Sequence, residues 1–315
     1  MLTHQPGPAS PDAPVTTRGS RVRVDAQLAV IVMAIDADRR AVDAVASLLA
    51  EGGSTEVAVV NTGGASLRGL LAAYLDSITL VEADTRRLPG GSRNLGIAAT
   101  SAPLVAFLAA DCLASRGWVA QRLAAHAQGH LAVATALRPA PDGTGRIPAT
   151  SWASYALLHV RRAPEYPAAS AARYGASYDR WLFDRHGWFR EDMRVGEDTE
   201  FNGRVSRDAP LAWAPEVVTL HRYPATIRRG LADFVERGRH LFRWFEANDD
   251  RPLVRTLRRA AGNWRIARAL AGMTSGETQR SLRRAAPLIT LFALAYGCGG
   301  VAAAFSNWFR RANPR

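Results

Sequence analysis

Three polar side chains come at the ends of apolar runs, where they could act together on a ligand. Asp36 follows LAVIVMAI (28–35), Asn61 ends EVAVVN (56–61), and Asp111 follows APLVAFLAA (102–110). Short continuous apolar runs are typical of strands that are buried on both faces. Because ligands of parallel sheets bind beyond the carboxyl ends of the strands, we expect these three side chains to share one ligand-binding edge.

A glycine-rich stretch, GGSRNLG (90–96), leads into a predicted helix. Glycine permits a close backbone approach, a helix N-terminus attracts anions, and arginine pairs with phosphate through two parallel hydrogen bonds. Arg93 is therefore a candidate ligand for a diphosphate. Asn94 beside it is predicted to hold the loop.

Glu197 and Asp198 are adjacent carboxylates that open a predicted helix at GEDTEF (196–201). Adjacent carboxylates repel each other, which favours a proton acceptor that works near neutral pH. The plainer interpretation is a helix N-terminus enriched in acidic residues. His221 ends the predicted strand EVVTLH (216–221) and is either structural or a metal ligand.

Alternating strands and helices place these residues in an α/β fold with a mostly parallel sheet. Helices are predicted at 40–51, 63–75 and 118–128, and again almost throughout the chain after Pro224. Residues from about 139 to 198 are irregular and aromatic. Trp181, Trp188 and Phe189 in that stretch form either a platform for a sugar ring or part of the core.

Three regions are predicted along the chain. Residues 1–25 are rich in Pro, Ser and Gly and read as a flexible tail without the apolar segment of a secretory signal. Residues 26–224 form the α/β domain, and residues 225–315 a helical, basic region. The chain has two cysteines, which argues against a disulfide framework and favours a reducing compartment; Cys112 is interpreted as a packing residue.

The positive charge is confined to the end of the chain. All 40 basic residues are arginine; residues 1–221 contain 22 of them and 22 acidic residues, whereas residues 222–315 contain 18 and 6. Such a basic region predicts docking onto nucleic acid or anionic lipid. The 25 uncharged residues 285–309 favour an anionic membrane surface over nucleic acid. This segment either lies in the membrane interface, spans the bilayer, or packs against its own protein.

Three stretches resemble family 2 glycosyltransferases. SRNLGIAATSAPLVAFLAADC is similar to the family pattern A-R-N-x-G-x-x-x-A followed by F-L-D-x-D, and HGWFREDMRVGEDTEF to G-G-F-x-E-x-x-x-x-x-E-D-x-D/E. EVVTLHRYPATIRRGLADFVERGRH is similar to a strand that ends in His before a helix. The resemblance runs from about residue 28 to residue 240 and implies a GT-A fold with a helical basic C-terminal extension.

The resemblance implies transfer of a sugar, with inversion, from a UDP- or GDP-linked donor. It implies that Asp111 and His221 bind a Mn²⁺ or Mg²⁺ ion and that Asp198 acts as the base. Glu197 would orient the site or meet the acceptor. Arg93 would contact the diphosphate, and Asp36 and Asn61 the nucleoside.

Ala109 departs from the family pattern, because it stands at the first acidic position of Asp-x-Asp. The absence of an acidic residue there is expected to weaken nucleotide binding more than abolish it.

The expected enzyme acts on a polysaccharide, glycolipid or lipid-linked acceptor at the cytoplasmic face of a membrane. A degenerate binding or scaffold protein and, with less support, a nucleotidyltransferase are the alternatives.

Overall fold

A computed structural model describes residues 13–312 of the chain. It is a mixed α/β structure whose nine strands form one sheet. The strands are β1 (Val15–Arg18), β2 (Leu28–Ile35), β3 (Thr55–Thr62), β4 (Thr79–Ala83), β5 (Leu104–Ala109), β6 (Cys112–Ala114), β7 (Ala132–Pro139), β8 (Ser177–Asp179) and β9 (Ala212–His221).

Nine α-helices lie within the described residues. They are α1 (Arg40–Glu51), α2 (Pro89–Ala98), α3 (Trp118–Ala127), α4 (Ala149–Leu158), α5 (Trp181–His186), α6 (Glu197–Val205), α7 (Ile227–Asn248), α8 (Pro252–Met273) and α9 (Gly276–Ala312). The predicted α/β class and the helical C-terminal extension are therefore confirmed.

The strand order is β1-β4-β3-β2-β5-β8-β7-β9-β6. Strands β4, β3, β2 and β5 are parallel neighbours, whereas β1 pairs antiparallel with β4, and β8 pairs antiparallel with both β5 and β7. The parallel block requires helical crossovers, as the alternating sequence pattern predicts.

Two expectations about the first 75 residues differ from what is observed. Residues 63–75, predicted as a helix, form turns, because Gly63 and Gly64 adopt positive φ angles of 111° and 90° at the start of the connection. Within the predicted flexible tail, residues 1–12 lie outside the described part, but Val15–Arg18 form β1. An edge strand is held by backbone hydrogen bonds and needs no apolar pattern.

The first compact unit comprises the residues up to Ala136 together with Arg173–Thr219. Alternate residues of its central strands enter two apolar layers, so both faces of the sheet are covered. In β2, Val30 and Val32 pack on the side of α1 and α3, while Ile31 packs on the side of α2 and α6. This burial explains why the strands read as continuous apolar runs.

The second compact unit comprises Leu137–Ala172 and the residues from Leu220 onwards. It has its own core, in which α4 contributes Trp152 and Tyr155, and α7 and α9 contribute Phe234 and Phe292. Residues 137–172 thus belong with the C-terminal helices. The irregular aromatic stretch of the sequence contains a helix, α4, that its composition did not reveal.

Candidate active site

The predicted edge of the sheet exists in the first unit. Met33 is paired with Ala109 and Ala34 with Asn61 across the parallel strands β5, β2 and β3. Asp36 follows the end of β2, and Asp111 lies between β5 and β6. The sequence therefore placed Asp36, Asn61 and Asp111 correctly at one edge.

The backbone at Asp36 is strained. Asp36 and Ala37 are non-glycine residues with φ angles of 51° and 54°. Such conformations persist where the surroundings enforce them, and they concentrate at functional sites. Here Asp36 N–H donates to Thr62 O at 2.9 Å, and a Cβ on Gly63 would lie 2.1 Å from the Asp36 carboxylate. The φ angle of 111° at Gly63 is what favours glycine there.

Asn61 stabilises this strained turn through its side-chain amide. Its Oδ1 accepts a hydrogen bond from Ala37 N–H at 3.1 Å, and its Nδ2 donates to Ala65 O at 2.6 Å. The residue is 2% exposed. Asn61 thus connects the loop after β2 with the loop after β3. This structural role is additional to its predicted contact with the nucleoside.

Asp111 has a cationic neighbour that the sequence did not identify. Arg40, at the start of α1, places Nη1 3.8 Å from Asp111 Oδ2, and its Nη2 donates to Asp38 at 2.6 Å. The hydrogen bond that Arg40 donates to the Asp38 carboxylate raises the pKa of Arg40. The sequence signal was the run DADRR directly after the first strand, which puts charges at the edge without showing which of them meet.

Arg93 and Glu197 form a buried ion pair. Arg93 Nε donates to Glu197 Oε1 at 3.1 Å, and the side chains are 9% and 7% exposed. The guanidinium also lies over two aromatic rings, 4.5 Å from the centre of Phe107 and 5.3 Å from that of Phe189. The structure therefore links the glycine-rich helix α2 to the first residue of the acidic helix α6.

The glycine-rich stretch that was predicted as a loop around Asn94 is part of α2, and Asn94 holds the segment from Phe189 to Glu191 instead. It exchanges two hydrogen bonds with the backbone of Phe189, at 2.9 and 3.1 Å, and donates a third to Glu191 at 2.9 Å. Phe189 is 3% exposed and belongs to the core, whereas Trp181 and Trp188 are exposed. The tryptophans therefore remain available for an acceptor platform, and the phenylalanine does not.

Asp198 is oriented by the backbone. Its Oδ1 accepts from Thr199 N–H at 2.7 Å, and its Oδ2 accepts from Gly175 N–H at 3.2 Å. Gly196, with a φ angle of 88°, provides the turn that starts α6 here. The contact with Gly175 ties the carboxylate to the loop before β8.

His221 is the last residue of β9 and is grouped with the second unit. Its ring lies 4.4 Å from the ring of Tyr223 and 5.1 Å from that of His159. Tyr223 in turn shares a 2.6 Å hydrogen bond with His159 Nδ1. Burial lowers the pKa of His159 well below its usual value, so this neighbour is a neutral imidazole.

The family model for glycosyl transferase family 2 matches residues 30–189, which is half of the chain and includes β2, α2, β5 and Phe189. The chain belongs to glycosyl transferase family 2. Membership in this family supports glycosyl transfer from a nucleotide sugar as the class of reaction. A comparison with curated protein sequences found no match.

Two solved structures are similar to this chain at low sequence identity. The mannosyltransferase PcManGT from Pyrobaculum calidifontis, in complex with GDP-Man and Mn²⁺, is 18% identical with a TM-score of 0.50; the alignment covers 87% of each chain. TarS 1-349 from S. aureus is 14% identical, covering 91% of this chain and 92% of that one, with a TM-score of 0.49. The likeness to the mannosyltransferase agrees with the GT-A fold of the family.

Proposed function

We propose that this family 2 protein is an inverting glycosyltransferase that uses a UDP- or GDP-linked sugar. The observation that carries the proposal is the fixed position of Asp198. Two backbone N–H groups orient its carboxylate at the start of α6, beside a Glu197 that is clamped by Arg93. A held carboxylate of this kind suits a general base.

In the proposed step, a hydroxyl oxygen of the acceptor attacks the anomeric carbon on the face opposite the leaving group. The bond between that carbon and the diphosphate oxygen breaks, and the nucleoside diphosphate leaves with the electron pair. Asp198 takes the proton from the attacking hydroxyl. Asp36 and Asn61 bind or support the nucleoside at the strand ends, and Glu197 orients the site.

The predicted metal ligands fit a divalent cation by type. The carboxylate of Asp111 is half-buried beside Arg40 and so provides a hard oxygen donor, and His221 adds an imidazole, which Mn²⁺ accepts more readily than Mg²⁺. When bound, the ion neutralises negative charge on the leaving diphosphate. Ala109 contributes no ligand, so we propose a weaker site than one with two acidic residues.

Arg93 has two proposed roles that predict different measurements. The family resemblance gives it a contact with the diphosphate, whereas the described ion pair makes it a support for Glu197. Removing a diphosphate ligand weakens nucleotide binding, but removing a support lowers turnover at unchanged nucleotide affinity.

The acceptor is proposed to be a polysaccharide, glycolipid or lipid-linked saccharide at the cytoplasmic face of a membrane. One described helical segment, Gly276–Phe309, is long and apolar enough to cross a bilayer, a property that core helices of soluble proteins share. The arginine-rich residues after Arg222 and two cysteines that form no disulfide within the described residues support this location.

Calorimetric titration with UDP and GDP, with and without Mn²⁺, tests the donor site. We expect one nucleotide to bind in a Mn²⁺-dependent manner to the wild type and to lose that dependence in Asp111→Asn. Asp198→Asn should keep nucleotide binding and lose sugar transfer. The matched control is Asp192→Asn, an exposed aspartate that pairs only with Arg190 among the described contacts and lies six residues earlier.

The alternative is a non-catalytic descendant of the family, and Ala109 is the observation in its favour. A folded protein that binds neither nucleotide would establish that alternative. Nucleotide binding together with unchanged sugar transfer in Asp198→Asn would instead remove Asp198 as the base.

A further inference from the structure

Helix α9 exposes a continuous apolar stripe. Leu294, Val301, Phe305 and Trp308 are 63%, 48%, 60% and 62% exposed. With Leu291 and Cys298, which are also exposed, they recur at spacings of three and four residues. That spacing puts all six on one face of the helix, over a length of about 26 Å. We call these six residues the α9 stripe.

The opposite face of α9 is packed against its own unit. Leu282, Ala285, Ile289 and Phe292 are buried there. The backbones of α9 and α7 touch, since a Cβ added to Gly299 would lie 2.0 Å from Val235 O. The glycines that interrupt the apolar segment therefore serve helix packing.

The residues that precede the stripe are strongly basic, whereas Glu246, Asp249 and Asp250 line a groove with Trp308 at its far end. Between Pro252 and Phe309 the chain has eight arginines and one acidic residue, Glu277. All eight arginines are exposed. Arg280, Arg283 and Arg284 precede the stripe on the same face of α9, as their helical spacing requires. At the other end, Phe305, Trp308 and Phe309 form a cluster with ring centres 5.1–6.1 Å apart.

We propose that the α9 stripe lies flat in the headgroup region of an anionic lipid bilayer. The apolar side chains enter the boundary of the acyl chains, the aromatic cluster anchors one end, and the arginines meet lipid phosphates. This deepens the membrane association proposed above and names its contact surface. It does not depend on the transferase chemistry.

Packing and charge favour contact of the α9 stripe with a lipid surface over a transmembrane span or a second copy of the chain. A spanning α9 would have to carry the arginine-rich α7 into the hydrocarbon or break its backbone contact with that helix, and both are costly. A second copy of the chain on the stripe would bring two sets of exposed arginines together. Anionic lipid complements the same charge.

Cys298 provides a probe inside the stripe, because it is exposed whereas Cys112 is buried. An environment-sensitive dye on Cys298 of the full chain should shift its emission to the blue on vesicles of phosphatidylcholine with phosphatidylglycerol. Nitroxide-labelled lipids in those vesicles should quench it, and added salt should weaken the binding. A dye that stays in water while the protein is bound to vesicles would overturn the proposal.

A second arm uses substitutions on the exposed face, which leave the core intact. Leu294→Gln, Val301→Gln and Phe305→Gln together should lower partition onto anionic vesicles by about tenfold or more. Ile227→Gln with Met273→Gln, two exposed apolar residues outside the stripe, should change it by less than about twofold.

Three results would contradict the proposal. Equal vesicle binding by the stripe variant and the wild type would remove the stripe as the contact surface. Retention of the protein in membranes after alkaline carbonate extraction would indicate a span. A wild-type dimer that the stripe variant dissociates, measured by light scattering, would assign the stripe to a second copy. None of these readings requires sugar transfer, so failure of the proposed function stays distinguishable.

Discussion

A buried ion pair connects Arg93 to Glu197, the residue next to the proposed base. A charge in such a place depends on its partner, because removing one member leaves the other desolvated and unpaired. Arg93 further rests on Phe107 and Phe189, so its position is held from three sides. This setting favours the second of the two proposed roles, in which Arg93 supports Glu197.

Arg93→Met is expected to lower turnover by about 10- to 100-fold, because Glu197 and the start of α6 shift from their productive position. The dissociation constant of the nucleotide should change by less than about twofold. Steady-state kinetics and calorimetry measure the two quantities. Arg190→Met, which removes an arginine from an exposed ion pair, is the control.

A weaker nucleotide affinity at unchanged turnover in Arg93→Met would instead establish the diphosphate contact. Since the variant also loses a buried pair, Arg93→Met with Glu197→Gln provides a second comparison. The double variant should recover part of the lost stability without recovering turnover.

His126 makes the stability of the first unit depend on pH. It shares hydrogen bonds with His130 O at 2.7 Å and with Ser177 Oγ at 2.8 Å. Burial lowers its pKa to about 4, despite the opposing effect of the His130 carbonyl. The folded state therefore keeps the imidazole neutral, whereas the unfolded chain takes up a proton below a pH of about 6.5.

The free energy of unfolding should consequently fall by about 2 kcal/mol through His126 alone between about pH 7 and pH 5. Urea unfolding of the wild type and of His126→Gln at both pH values measures the difference. His130→Gln removes an exposed histidine nearby and should leave the wild-type pH dependence intact. Identical slopes in the wild type and His126→Gln would refute this account.

At the scale of elements, helices α7 and α9 are joined by backbone contact at glycines. Beside the close approach at Gly299, a Cβ on Gly238 would lie 2.0 Å from Tyr296 O. Backbone atoms cannot move aside as a side chain can, so any substituent must separate the two helices. The uncharged segment of the sequence is thus half core and half surface.

Gly299→Ala should destabilise the protein by roughly 1–3 kcal/mol, because the added methyl group overpacks the contact between α7 and α9. Gly262→Ala in α8 is the matched control, since a Cβ there meets nothing within 4 Å. It should raise stability by about 0.5–1 kcal/mol through helix propensity. Denaturant titration followed by circular dichroism compares the pair, and similar effects of both changes would argue against the close contact.

At the scale of the whole molecule, two compact units have separate apolar cores. The first contains both layers around the sheet, and the second contains the aromatic residues of α4, α7 and α9. The charge follows the same division, because the surplus of arginine begins at Arg222. Nucleotide chemistry and lipid attraction are thereby proposed for different units.

Calorimetry should resolve two unfolding transitions, as separate cores unfold with separate cooperativity. The nucleotide that binds with Mn²⁺ should raise the temperature of one transition by mass action. Gly299→Ala should lower the other. A single transition that responds to both changes would show that the cores unfold as one.

The sequence by itself determined the elements whose residues repeat a clear pattern. Strands β2, β3 and β5 are predicted from their continuous apolar runs. These runs exist because both faces of the sheet are covered. The parallel arrangement of the strands then placed Asp36, Asn61 and Asp111 at one edge.

Only the tertiary structure shows the features that depend on contacts between residues far apart in the sequence. Arg93 and Glu197 are 104 positions apart, and only packing brings their charges together. Packing likewise brings Arg40 close to Asp111, although nothing in the sequence around either residue indicates this ion pair. Helix α4 was missed, because its stretch of the sequence was interpreted as irregular. The buried half of α9 was ambiguous, because an apolar stretch shows that a surface must be covered, and the fold alone shows what covers it.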